Sequence, residues 1–485
     1  MEPALFAAAL GLPLLAGTAL CLVRDRAPRA SARAALAVTT LSAALVWLLI
    51  LRAGESPLVL LTLSKRLCLC LRFDGLGRFF AGIVAALWPI TVLYAGSYLE
   101  GKPRLAGFYG FFTLSFSVTL GICMAGNLFT LYVFYELLTL ATAPLVLYPM
   151  TKEALRAAKL YLIYSLGGAA FGFAAMVWLL NAGADGLFAL GGLLPAGAWG
   201  ETARVFFLLG FFGFGVKAAV FPLHGWLLKA TVAPTPVTAL LHAVAVVKAG
   251  AFAVIRLSWY AFPPALLRGS WAQTVALAVV SFTLLFGAGM AMKQVHWKRR
   301  LAYSTVSNLS YILFGVLLLI PEGLQAGLIH MAAHAATKIL AFFCAGAVLR
   351  RSGAEYVTQL GGLGRRMPLS FSAFTLSALS LMGIPPLYGF VSKWHLLTAA
   401  ATAATPAAYV GIGALLSASI LAAIYMLAPA VRAWFPPRDA PLPAAEIREA
   451  DWRMLVPFAL LAAGLLLFGL WAWPVTEAAA RIAGL

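Results

Sequence analysis

The stretch FGVKAAVFPLHGWLLKATVAPTPVTALLHAVAVVKAG, residues 214–250, decides how the rest of the chain is read. It is apolar over two membrane-length runs, yet Lys217 and Lys248 fall well inside those runs and Pro222 follows Lys217 by five residues. A proline removes a helix hydrogen bond and kinks or breaks the helix. A broken span is tolerated only where it lines a cavity or the protein interior. A charge near the bilayer centre costs at least ~2.5–3.5 kcal/mol. Both lysines are therefore expected inside a helical bundle, facing water or a counter-charge.

The composition extends that reading to the whole chain. Of 485 residues, 63% are hydrophobic and 11% charged, against ~45–50% and ~25% in an ordinary soluble domain. Mean hydropathy is +0.94. These values exclude a soluble or a disordered protein. Basic residues outnumber acidic ones 35 to 16, a net charge of +19. On a soluble chain that excess points to nucleic acid. Here it falls in short loops between apolar runs, where it sets orientation, so no nucleic-acid partner is expected.

Fourteen apolar runs are expected to span: 3–23, 34–51, 73–99, 106–125, 127–149, 156–180, 204–228, 237–260, 272–292, 301–320, 324–349, 368–401, 407–431 and 454–475. A spanning strand needs only ~10 residues and alternates in polarity, so the fold class is an all-α membrane protein. The longest polar stretches are 53–72, 182–203 and 432–452, too short for a soluble domain. With the N-terminus outside, the inside loops (Arg24, Arg26 and Arg29 in the first, Arg438 in the last) collect 22 basic residues. The outside ones, with Lys65 and Arg256 among them, collect 8. That bias supports the count and the orientation. The first run is followed, not preceded, by its arginines, which predicts an uncleaved span. The expected location is the inner (plasma) membrane, multi-pass, with both termini outside. The five cysteines lack metal-site spacing, and neither a metal nor a cofactor is expected in this chain.

Five ionisable residues sit deep inside runs: Glu136, Lys217, Lys248, Lys338 and Lys393. Intramembrane charges of this kind mark ion or proton relays by default. A nearby carboxylate holds a buried ammonium charged, so pairing with Glu136 would keep a proton on Lys217 and breaking the pair would release it. LMGIPPLYGFVSKWHLL, residues 381–397, repeats the device: Pro385 and Pro386, then Lys393 and His395. Pro222 precedes Lys229 by seven residues, as Pro386 precedes Lys393. The match hints at an internal repeat, which in transporters is often inverted and places its sites at broken helices. His330, His334 and Lys338 recur at i, i+4, i+8 and share one helix face. His242 and Lys248 are six residues apart and do not strictly share one. Together with His224, these groups compose a candidate proton path. Ser304, Ser307 and Asn308 could join a water path or act as glue between helices. No phosphate loop, dinucleotide fingerprint or nucleophile elbow is present.

Four segments carry a resemblance: 214–250 above, KRRLAYSTVSNLSY (298–311), HAATKILAFF (334–343) and GIPPLYGFVSK (383–393). As a set they resemble the antiporter-like membrane subunits of respiratory complex I, membrane-bound hydrogenases and multi-subunit sodium/proton antiporters. The resemblance is strongest to the D component of those antiporters or its hydrogenase counterparts. It implies about fourteen helices with two inverted five-helix repeats, broken helices 7 and 12, and a hydrophilic axis in the membrane plane. It divides the chain into an N-terminal three-helix segment (1–105), two repeats (106–260 and 272–431) and a C-terminal helix (454–485). By motif, Glu136, Lys217, Lys248 and Lys393 match the family's axial ionisable residues, and His330, His334 and Lys338 match the polar face of the eleventh helix. Two departures stand out. Leu228–Lys229 replaces a frequent Pro–Asp, which puts a role for Lys229 in doubt, and the chain stops before the long lateral helix of the largest members.

The expected function is a proton-translocating subunit of a larger membrane complex, with sodium exchange left open. Redox chemistry would lie in partner subunits, since this chain holds no redox motif. The implied partners are further membrane subunits, a peripheral arm with iron–sulfur or nickel–iron subunits, and membrane lipids. One alternative is a sodium/proton antiporter component without redox coupling, or its relative, a subunit energising inorganic-carbon uptake. An alternative of another class is a membrane-embedded transferase acting on lipid-linked substrates. That reading needs catalytic groups in sizeable outer loops, which offer only the scattered Glu55, Asp185, Glu201 and Glu322.

Overall fold

The computed structural model describes residues 2–23, 28–52, 54–64, 66–195, 200–437, 444 and 446–485. Of the loop charges above, Arg24, Arg26, Lys65 and Arg438 lie outside them. Helices dominate because in lipid every backbone N–H and C=O must find its partner within the chain. They are α1 (Glu2–Leu22), α2 (Pro28–Arg52), α3 (Gly75–Tyr98), α4 (Leu105–Cys123), α5 (Leu128–Leu147), α6 (Lys152–Asn181), α7 (Gly200–Gly215), α8 (Gly225–Lys229), α9 (Thr235–Ala243), α10 (Val246–Ile255), α11 (Pro264–Leu267), α12 (Trp271–Lys293), α13 (Trp297–Leu317), α14 (Pro321–Ser352), α15 (Leu363–Arg366), α16 (Pro368–Met382), α17 (Tyr388–Ala403), α18 (Pro406–Trp434), α19 (Trp452–Leu470) and α20 (Trp473–Ala483).

Among the described residues, eleven helical stretches are long and apolar enough to cross a membrane. With α13 and the two broken pairs α7–α8 and α16–α17, they match the fourteen expected runs in order. The breaks cover residues 216–224 and 383–387. Side-chain oxygens start several helices where the sequence leaves the loops: Asp74 caps α3, Asn127 α5, Thr151 α6 and Ser270 α12.

The middle of the bundle is the eighth span, where every residue from Thr235 to Ala261 is buried. It is not the single helix that its apolar run suggests. Val244 and Ala245 are non-helical, separating α9 from α10, and Arg256–Ala261 continue as a π-helix. Apolar composition reports membrane residence, not helical continuity, so the run carries no sign of the interruption.

Three further expectations need correction. The stretch 53–72 is not only polar loop: Leu58–Ser64 (β1) and Leu67–Leu71 (β2) form an antiparallel hairpin. Past residue 470, α20 packs against α14 and α3. Arg256, Lys298 and Arg300, counted as loop charges, are buried at 0%, 9% and 8% exposure. Each lies near a span end, and Arg300 donates to the Tyr425 carbonyl of α18 at 3.2 Å. Lys298 donates to the carbonyls of Thr231 and Ala233, both at 3.1 Å.

The bundle therefore has a hairpin face and an opposite face. On the opposite face, Arg453 reaches Glu100 at 2.6 Å, and Arg350 donates to the Glu100 carbonyl at 2.8 Å. On the hairpin face, Phe188 N donates to Gly126 O at 2.8 Å and Leu193 N to Ala261 O at 3.0 Å.

Candidate functional site: a buried axis of lysine and histidine

The two breaks place lysines where no continuous helix would. Lys217 lies just past the end of α7, and its amine has two neighbours on α5. It lies 3.6 Å from a Glu136 carboxylate oxygen and donates to the Tyr135 carbonyl. The ammonium also sits over the Tyr135 ring, 3.3 Å from its centroid. Tyr135 donates in turn to Phe214 O at 3.0 Å, fastening α5 to α7 beside the pair. The Lys217 side chain is fully enclosed, while 19% of Glu136 stays exposed. One partner is thus sealed and the other open to an approaching group.

Lys393 uses the second break differently. It lies on α17, past the discontinuity, and reaches back to the end of α16. Its amine donates to Leu381 O at 2.7 Å, Met382 O at 3.1 Å and Ser419 Oγ at 3.0 Å. The last carbonyls of a helix lack intrahelical donors and carry partial negative charge, so they suit an ammonium. Gly389 permits the crossing, because a Cβ there would overlap the Ser380 carbonyl.

From Lys248 to Lys393 runs a chain of contacts. Lys248 on α10 is hydrogen-bonded to Nδ1 of His334 on α14. The rings of His334 and His330 are 6.1 Å apart and nearly parallel. His330 Nδ1 is 2.9 Å from Ser392 Oγ, next to Lys393 in sequence. The His330 ring also stacks on Tyr311 at 5.1 Å, and the Lys393 amine lies 5.1 Å from the centre of the same Tyr311 ring. Tyr311 and Ser419 close the circuit at 3.0 Å. Lys338, one helical turn past His334, bonds Ser304 Oγ at 2.5 Å, and Asn308 donates to the Ser304 carbonyl at 2.7 Å.

Among the described residues no hydrogen bond joins Lys217 to Lys248. Their backbones nevertheless pack tightly, since a Cβ on Gly250 would overlap Ala218 N. Several buried polar atoms along the line accept or donate no hydrogen bond: Glu136 Oε1, which has only its ion pair with Lys217, both ring nitrogens of His242, Asn308 Oδ1, and Nε2 of His330 and His334. Buried polar groups are otherwise almost always bonded to protein or to ordered water.

The other candidates lie off this line. Lys229 is exposed, although its spacing from Pro222 equals that of Lys393 from Pro386. The first break offers its lysine before the proline and the second after it, so the seven-residue match does not carry over to burial. His224 stacks with Phe221 at 5.7 Å and meets Phe286 edge-on at 5.0 Å. His395 bonds its own helix at Val391 O, 2.8 Å away. Pro222, Pro385 and Pro386 are exposed at the breaks that they occupy. No distinctive sequence signal marks Tyr135, Tyr311, Ser392 and Ser419, because single hydroxyls are common in apolar helices and only the fold aims them. Among the described residues no three His, Cys, Asp or Glu side chains are grouped to hold a metal.

Known proteins share these features. The chain is 33% identical over 406 residues to NADH-quinone oxidoreductase subunit N of Desulforudis audaxviator, covering 80% of this chain and 79% of that one. It is 32% identical over 351 residues to a Na(+)/H(+) antiporter subunit of Alkalihalophilus pseudofirmus, and 31% over 343 residues to hydrogenase-4 component B of Escherichia coli. Each of these matches covers 67% of this chain, but only 42% and 50% of those relatives. In structure it matches a chain of the Mrp complex from Dietzia sp. DQ12-45-1b with a TM-score of 0.85 and 24% identity, covering 99% of this chain and 97% of that one. A chain of the archaeal membrane-bound sulfane sulfur reductase matches at 0.84 with 22% identity, with the same coverage. These two likenesses establish the fold. Residues 125–421, which contain the whole axis from Glu136 to Ser419, match the family model described as NADH:quinone oxidoreductase/Mrp antiporter, TM, and the chain belongs to that family.

Proposed function

We propose that this antiporter-like protein carries protons through the membrane along Glu136, Lys217, Lys248, His334, His330 and Lys393, with Lys338 and His242 as a side branch. The observation that carries the reading is the unbroken sequence of buried contacts from Lys248 through His334, His330 and Tyr311 to Lys393. Each ionisable member can bind and release a proton; Glu136 sits beside Lys217, the groups from Lys248 to Lys393 lie in contact, and close backbone packing brings Lys217 and Lys248 together. A proton arriving at one site therefore raises the cost of charge on its neighbour, so transfer propagates electrostatically without large movement. Glu136 is the counter-charge beside Lys217, and its exposed fraction makes the pair sensitive to what approaches from that side. The orphaned nitrogens and oxygens along the line mark where water completes the path.

The likeness to subunits of NADH-quinone oxidoreductase, hydrogenase-4 and Na(+)/H(+) antiporters supports a place among other membrane subunits of one complex. A peripheral arm with iron–sulfur or nickel–iron subunits would supply the driving reaction. The loop charges support an inner-membrane orientation with the hairpin face outside. The second reading, sodium/proton exchange without redox coupling, is favoured by the match to the Na(+)/H(+) antiporter.

The test is ion transport in inverted vesicles carrying the complete complex, for wild type, Lys217→Ala and Glu136→Gln. Hydrogen, NADH and reduced ferredoxin are supplied in turn, with and without sodium. Pumping that needs one donor and collapses in both variants supports the redox-driven relay. Cation-driven antiport with no donor requirement supports the second reading. Full transport in both variants overturns the axis.

A further inference from the structure

The proton path makes no use of Arg256, a cation as fully enclosed as its buried lysines. Arg256 is 0% exposed and lies eight residues beyond Lys248, at the start of the π-helical end of the eighth span. Its guanidinium grips Asp74 with two prongs, Nη1 to Oδ2 at 2.6 Å and Nη2 to Oδ1 at 2.7 Å. Phe188, Tyr260 and Phe252 pack around it with ring centres at 4.7, 4.5 and 5.1 Å. Asp74 has a second duty. Its Oδ1 accepts the Gly77 N–H at 2.9 Å and so caps α3. One carboxylate thus ties the beginning of α3 to the end of the eighth span.

The same short segment is also tied to the helix that carries Glu136. Just before Asp74, Arg72 N donates to Met124 O at 2.7 Å, and Cys70 O accepts Gly126 N at 2.9 Å. Cys70 N donates to Thr130 Oγ1 at 2.8 Å, and Asn127 Nδ2 donates to Cys68 O at 3.0 Å. Asn127 and Thr130 form the cap and first turn of α5. Residues 68–77 therefore bridge the start of α5 and the end of the eighth span, the two elements bearing Glu136 and Lys248.

We propose that Asp74 and Arg256 are positioning residues. With β2 they form a bracket on the hairpin face that fixes α10 relative to α5 and holds Lys248 against His334. Displacement of the eighth span is then absorbed at the interruption Val244–Ala245, on the far side of Lys248. This inference rests on the axis reading above.

Two physical arguments favour placement over the simpler roles. Arginine does not release its proton in proteins, so Arg256 is not a relay member. A buried ion pair is a poor device for stability alone, because desolvation offsets its attraction and an apolar pair of similar volume often does as well. What a two-pronged guanidinium–carboxylate contact adds is direction, which a lysine's single point charge does not reproduce.

The experiment compares Arg256→Lys, the paired variant Asp74→Asn with Arg256→Met, Lys248→Met and His334→Gln, each in the complete complex in inverted vesicles. Transport is normalised to assembled complex and followed against pH. Arg256→Lys keeps the charge, and the paired variant leaves no lone buried charge and retains the cap acceptor, so each has its own route to a folded protein. The expected result is normal assembly, a fall in transport of at least fivefold and an altered pH profile for Arg256→Lys. Adding Arg256→Lys to His334→Gln should bring no further loss, because both act on the same contact. Wild-type transport and pH profile in Arg256→Lys and in the paired variant would overturn the bracket, as would losses that simply add. Full transport in Lys248→Met and His334→Gln would instead overturn the axis itself. Loss in those two with none in the Arg256 variants would overturn the bracket alone.

Discussion

Replacing Glu136 by glutamine removes the carboxylate 3.6 Å from the Lys217 amine and little else. At that separation the Coulomb attraction is about 1 kcal/mol in water and about 5 kcal/mol at an effective dielectric of ~20. Lys217 is fully enclosed and 19% of the Glu136 side chain is exposed, so the true setting lies between these limits. Taking about 2–3 kcal/mol, the preference of Lys217 for its charged form drops roughly thirty- to a hundred-and-fiftyfold. If charge on Lys217 gates the onward step, proton uptake by inverted vesicles holding the complete complex should fall by a similar factor in Glu136→Gln. The loss should persist at high salt, because a buried pair is screened far less than a surface one. Glu136→Asp, which keeps the charge on a shorter arm, should fall between wild type and Glu136→Gln. The double variant Glu136→Gln with Lys217→Met should be no worse than the poorer single one, since both remove the same interaction. Wild-type uptake in Glu136→Gln with normal assembly, or losses that add, would refute the reasoning.

Other consequences are as direct. Lys393→Met should lower transport at least tenfold while exposed Lys229→Gln stays within about twofold, which tests burial against the equal spacing from proline in vesicle uptake. Gly250→Ala should lower the thermal midpoint by the equivalent of about 1–3 kcal/mol, because its Cβ would overlap the Ala218 backbone. Gly96→Ala, with nothing within 4 Å, should not lower it. Burial pushes the Asp74 carboxyl up, but the Arg256 charge, its two hydrogen bonds and the Gly77 N–H outweigh burial and hold it below the usual carboxylate range. Its contribution is therefore complete above the unfolded value and fades as pH falls through the folded one. Breaking a buried pair costs about 3–5 kcal/mol, so thermal unfolding should show Asp74→Asn far below wild type near neutrality and the two curves converging in strong acid.

The sequence by itself determined the class, the count of spans and which residues had to matter. Fourteen runs at membrane length allow nothing but helices, and lysines at 217, 248, 338 and 393 with one acid at 136 are too costly in lipid to be incidental. The family was legible for the same reason, since its motifs are those costly residues and the prolines beside them. What the sequence did not contain was direction. Lys229 and Lys393 stand seven residues past a proline, yet one is exposed and the other bonds four partner atoms or rings. Arg256 sits at the edge of an apolar run like any loop arginine, and its partner Asp74 is 182 positions away. The interruption at Val244–Ala245 lies in a stretch of alanine and valine with no breaker in it. Hydropathy reports the solvent that a segment meets, and spacing reports its neighbours along one helix. Which helix crosses which, and therefore which charge finds which, is decided by packing between segments far apart in the chain, and only the tertiary structure records it.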